Sequence, residues 1–139
     1  MAKFDEEKRA RWEAARAIFS ARMASSQSIP LSKIRAALET PRQFHTWLMQ
    51  QPPKARVGDT VTPDNCPIAN FLWDTLAIYV WVGETILYKR KRVAFVPYPT
   101  WVGTLLVEAD DWVHSRGDGS LDISADELLS ILRSSNLEV

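Results

Sequence analysis

The chain has 139 residues, 46% of them hydrophobic and 24% charged, with 17 basic and 17 acidic side chains and a formal charge of zero. That length makes about one domain, which buries roughly two thirds of its unfolded surface, and six tryptophans point to a core built on a few large aromatics. Zero net charge argues against a strong overall pull on nucleic acid, and a single cysteine excludes an internal disulfide.

The neutral total hides an asymmetry. Residues 1–56 carry eleven Lys and Arg against five Asp and Glu, and the remainder six against twelve. Such a split either creates an electropositive binding face or packs one half against the other, and packing is the simpler reading. The chain is charged from Lys3 onward, with no apolar stretch of the secretory-signal kind. Its longest apolar window, 68–82, contains Asn70 and Asp74 and is too short to span a bilayer. A soluble cytoplasmic protein with no membrane partner is expected.

Residues 3–24 lack Gly and Pro and are rich in Ala, Arg and Glu, which predicts one long helix. Trp12, Ala15, Phe19 and Met23 recur at three- and four-residue spacing as a thin apolar stripe, with Phe4 two turns earlier. Arg9, Arg11, Arg16 and Arg22 load the rest with positive charge, so the helix either docks along its stripe or engages a partner. The polar stretch 24–30 is the best boundary. It divides a basic amphipathic arm at 1–24 from a compact α+β domain at 31–139.

A short helix follows at 31–39 with Ile34, Ala37 and Leu38 inward. Thr40, Pro41 and Gln43 form a capping-box pattern for the next helix, whose apolar side is Phe44, Trp47 and Leu48 and which Pro52 and Pro53 stop. The proline-rich segment 51–65 is long enough to be functional, and its Val57–Val61 portion could form a strand edge. Cys66 before Pro67 predicts an N-cap, and the helix runs to about Leu76 with Ile68, Phe71, Leu72 and Leu76 inward.

Residues 77–82 then switch to β-branched and aromatic side chains. Gly83-Glu84 reads as a two-residue hairpin turn and 85–89 as the return strand. Both alternating sets in 78–82 are apolar, so this strand is covered on both faces or leaves one face sticky. Val93–Val96 is a third strand or a continuation of the second. Residues 100–112 read as a helix with Trp101, Leu105, Val107 and Trp112 on its apolar side, 114–123 as a loop, and Ser124 with Glu127 as the capping box of a last helix. The fold class is α+β, mainly helical, with five or six helices around a small two- or three-stranded antiparallel hairpin or meander.

Chemistry is sparse. Cys66 at a helix N-cap has a reason to be a thiolate, but only His45 and His114 could serve as its base and no nucleophile motif surrounds it. These three residues lack zinc spacing, and the Gly117–Gly119 turn places Ala125 where a calcium loop needs its bidentate Glu. Asp110-Asp111 and Asp126-Glu127 are sequence neighbours that do not face each other on a helix. No phosphate loop is present, so no catalytic residue, metal or cofactor is assigned.

The remaining feature is the basic block Lys89, Arg90, Lys91 and Arg92, flanked by Trp81, Tyr88, Phe95 and Tyr98. Cations beside aromatics suit a docking surface, which Arg9 and Arg16 of the first helix could extend. The expectation is a non-enzymatic interaction protein, of accessory-subunit or inhibitor type, that docks this surface on a protein partner or on itself. Nucleic-acid binding through the same residues is the alternative, and a cysteine-dependent enzyme using Cys66 a distant third.

Overall fold

The computed structural model describes residues 2–89 and 92–137, with side chains from Glu6 onward. The helices are α1 (Ala2–Ser25), α2 (Leu31–Leu38), α3 (Arg42–Met49), α4 (Pro67–Leu76), α5 (Thr100–Arg116) and α6 (Ala125–Ser134). The strands are β1 (Arg56–Asp59), β2 (Val80–Val82), β3 (Ile86–Lys89), β4 (Val93–Val96) and β5 (Asp122–Ser124). The architecture is α+β: the described residues form six helices and two small antiparallel sheets, β2-β3-β4 and β1-β5.

The core gathers around Phe44 of α3. Its ring lies 5.4 Å from Phe71, 5.6 Å from Trp47 and 5.8 Å from Trp101, edge-on or tilted as aromatic quadrupoles favour. A buried indole needs an acceptor. Trp101 finds one in the Leu38 carbonyl at 2.7 Å, and Trp47 in the Asp74 carboxylate at 3.0 Å. α2 contributes Ile34, Ala37 and Leu38, as its spacing predicts.

α4 is started by extended Cys66 and Pro67, buries Ile68, Phe71 and Leu72, and ends where Ala77 turns left-handed at φ 54°. That turn delays β2 to Val80. The hairpin loop has three residues, because Val82 pairs with Ile86 and the Gly83 N–H reaches the Thr85 carbonyl; the two-residue turn is corrected.

Three further expectations change. α3 starts at Arg42 after a helical Pro41, so Thr40 makes only a long 3.4 Å contact with the Arg42 N–H and its capping box does not form. α5 runs to Arg116 and buries Trp101, Val102, Leu105, Ala109 and Val113, leaving Val107 and Trp112 exposed. The segment read as a loop before Ser124 contains β5, which pairs with β1 through Gly58↔Ile123 and Asp59↔Asp122. The Ser124–Glu127 capping box forms as expected, with α6 burying Leu128, Ile131 and Leu132.

The 51–65 segment is therefore tied down along its length. Asp126 N–H donates to Pro53, Ala125 N–H to Ala55, and Asp59 N–H to the Asn65 carbonyl. Gly58 is required there. At φ 152° a Cβ would sit 2.6 Å from the Asn65 carbonyl oxygen.

Among the described side chains, the ring and hydrogen-bond contacts of α1 with the body lie near its end. Phe19 packs edge-on against Tyr79 at 5.2 Å, and Arg22 bonds the Asn70 side chain at 2.8 Å while lying over Trp73. From Glu6 to Ile18 every side chain is exposed, including Trp12 of the expected stripe. Phe4 lies outside the described side chains.

Candidate interaction surface

The period of two along a strand separates two faces of the β2-β3-β4 sheet. Val80, Val82, Ile86, Tyr88 and Val96 point inward and are buried. Trp81, Leu87 and Phe95 are direct cross-strand partners on the other face and form one continuous row. Trp81 is 46% exposed and Phe95 65%, with Leu87 half-buried between them; Val93 on the same face is 49% exposed. Cross-strand neighbours lie about 5 Å apart, so the row is an apolar band spanning all three strands. Of the two outcomes open to an all-apolar strand, this sheet has the uncovered one.

The band has different charge at its two ends. Lys89 pairs with Val93, and both Lys89 and Arg92 are exposed. Arg90 and Lys91, the middle of the basic block, lie outside the described residues. At the β2 end the Trp81 indole donates to the Tyr79 hydroxyl at 2.6 Å, and that hydroxyl donates to Asp64 at 2.7 Å. Burial, then the Asp64 hydrogen bond, raises the Tyr79 phenol well above its ordinary range, keeping it a neutral donor. Since Phe19 packs on Tyr79, this relay connects α1 to the edge of the row.

The other expected surface residues divide. Tyr88 is a correction: it is fully buried, its hydroxyl donating to the Gln27 carbonyl and accepting the Ile29 N–H, so it fastens the α1–α2 linker and offers nothing to a partner. Tyr98 is half-buried and donates to the Gly83 carbonyl at 2.7 Å, bracing the β2-β3 loop. Arg9 and Arg16 are exposed on α1, Arg16 stacked over Trp12 at 5.2 Å. Leu87, Val93 and Phe95 complete the band. Their signal was the period-two alternation of Ile86–Lys89 and Val93–Val96, which needs the register of the three strands before it can be read.

Cys66 does cap α4, but with 5% exposure it is a core side chain. Burial outweighs the helix N–H groups and pushes the thiol up to about 11, and its sulfur donates weakly to the Pro63 carbonyl at 3.8 Å. Helix N-terminal activation is thus reversed by desolvation. Among the described residues no three His, Cys, Asp or Glu side chains gather in a metal-holding group, and no helix is long and apolar enough to cross a membrane. Comparison with protein-family models, curated proteins and solved structures finds no match.

Proposed function

We propose that the protein is a non-enzymatic interaction module, an accessory subunit or an inhibitor, that docks the outer face of its three-stranded sheet onto a protein partner. The observation carrying this reading is the Trp81–Leu87–Phe95 row, three large apolar side chains in register, with Trp81 and Phe95 open to solvent on either side of a half-buried Leu87. A band of this kind, rimmed by charge, has the character of an interface core with its polar rim. Lys89 and Arg92 favour a partner with acidic groups at one end of its apolar strip.

A second reading, single-stranded nucleic acid, draws on the same cations beside Trp81 and Phe95, because aromatic faces stack bases. The aliphatic Leu87 and Val93 and the nearby Asp64 and Glu84 favour protein.

Affinity purification from the source cell with Trp81→Ala/Phe95→Ala as control tests the proposal. The native chain should retain a defined protein that the double variant loses, with retention surviving 0.5 M salt. Identical retention by the two forms would sink it. Nucleic-acid binding would instead fall linearly in log K with log salt concentration.

A further inference from the structure

A cleft of about 390 Å³ opens between α1 and the 59–65 loop, walled on the helix side by Ala15, Ile18 and Phe19 and opposite by Tyr79 and Asp64. Arg22, Arg56 and Asn65 line it and also a second hollow of about 220 Å³ that reaches Trp47 and Asn70. The two hollows meet at these three residues.

The carboxylates around the junction are already engaged. Asp59 accepts the N–H groups of Val61 and Thr62 and the Asn65 amide, Asp64 takes the Tyr79 hydroxyl, and Asp74 takes the Trp47 indole. The guanidinium of Arg22 is not similarly satisfied. It makes one hydrogen bond, to the neutral side-chain oxygen of Asn70, and no ion pair among the described residues. Burial lowers its pKa despite Asp74 and Asp64 acting from a distance. A guanidinium carries five N–H donors, so four remain beyond the Asn70 bond, on a half-buried side chain that lines both hollows and lies over Trp73. Arg56 pairs with Asp122 at 3.0 Å and more loosely with Asp59 at 3.8 Å, and stays more than half exposed.

We infer that this cleft binds a small carboxylate-bearing molecule, its carboxylate held by Arg22 and Arg56 and its apolar body lying along Ala15, Ile18 and Phe19. The volume falls at the lower end of ligand pockets, roughly 300–1,000 Å³, and a guanidinium fork matches a carboxylate. Arg11, Arg22 and Arg56 against Asp59 and Asp64 leave the lining one positive charge in excess, which favours a monoanion over doubly charged phosphate. The cleft shares Tyr79 and Asp64 with the relay that reaches Trp81, and because it joins α1 to the body, its ligand should hold the helix down.

The test uses the full chain with benzoate and, separately, inorganic phosphate at fixed ionic strength. Titration calorimetry gives affinity and hydrogen exchange of the 15–25 amides gives helix docking. Benzoate should bind one-to-one in the millimolar range and slow exchange in α1, with phosphate weaker. Arg22→Gln should abolish binding. Arg56→Gln, which leaves the Phe19–Tyr79 and Arg22–Asn70 contacts intact, should weaken it about tenfold with unchanged ligand-free exchange. Phe95→Ala, which lies at the β4 end of the sheet row and does not line the cleft, should bind benzoate normally, whatever becomes of the partner surface. Absence of benzoate binding at about 20 mM, or equal binding by Arg56→Gln, overturns the inference. Phosphate binding more tightly than benzoate overturns the carboxylate assignment.

Discussion

The Tyr88 hydroxyl accepts the backbone N–H of Ile29 at 3.0 Å from the middle strand of the larger sheet, fifty-nine residues further along the chain. The same oxygen donates to the Gln27 carbonyl, and Gln27 N–H bonds Ala77 while the Ser26 hydroxyl takes the Tyr79 N–H. The linker between α1 and α2 is thereby bonded into place, and the route by which α1 leaves the body is set by a strand. Tyr88→Phe keeps the ring and strips this bonding. The buried Ile29 N–H and the Gln27 carbonyl would lose these bonds, at about 1–3 kcal/mol. Urea unfolding should show a lower midpoint with an unchanged slope.

Gly58→Ala should be far more damaging than its single methyl suggests. The added carbon would meet the Asn65 carbonyl at 2.6 Å and the Cys66–Pro67 peptide at 2.9 Å, all backbone, in a conformation L residues avoid. A loss on the order of 3 kcal/mol or more is expected, read as a lower Tm or failure to express in folded form.

Cys66 should be almost inert to alkylation. With the thiol near 11, its thiolate fraction at pH 8 is about two orders of magnitude below that of a free cysteine, before access is counted. Iodoacetamide labelling followed by mass spectrometry checks this: native protein should react at least a hundredfold more slowly than urea-unfolded protein.

The start of α6 should weaken in acid. Burial alone would raise the Glu127 carboxyl, but the Trp112 indole, Arg116 and Ser124 together bring it below the usual range; Asp126 is lowered by Ser124 and Lys54. Carboxyls depressed on folding add stability that is complete above their ordinary values near 4 and is lost as pH falls through the folded ones. Tm should stay level from pH 7 to about 5 and drop below that, and Glu127→Gln should lower the plateau and shallow the drop. Ser124→Ala, which removes the cap itself, should cost about 1 kcal/mol at neutral pH.

Legibility in the sequence followed the length and periodicity of each element. α2, α4 and α6 carry their boundaries in plain view, as prolines, a polar linker or a capping box, and the 3.6-residue period marks most of their buried residues, although Leu76 is only half-buried and Ala69 and Ala125 are buried as well. β1 and β5 are too short for any periodicity, with Val57 and Ile123 as their main apolar anchors, and only pairing makes them strands. The Thr40 box failed because the match to the pattern says nothing about where Pro41 lets the helix begin. On the candidate surface, Trp81 and the basic block stood out by composition. Tyr88 did not reveal its side of the sheet, since Ile86 and Leu87 put apolar side chains on both faces of β3 and only the linker explains a buried hydroxyl.

The β1–β5 pairing has a kinetic consequence. Arg56 finds Ser124 more than sixty residues downstream, and closing a loop of that length costs entropy that no local contact repays beforehand. During synthesis the core partners of α2, α3 and α4 emerge first and can collapse together, while Val57 waits uncovered for Ile123. The small sheet is therefore a late latch, and a nascent chain halted before β5 would present the 51–65 segment to chaperones and proteases.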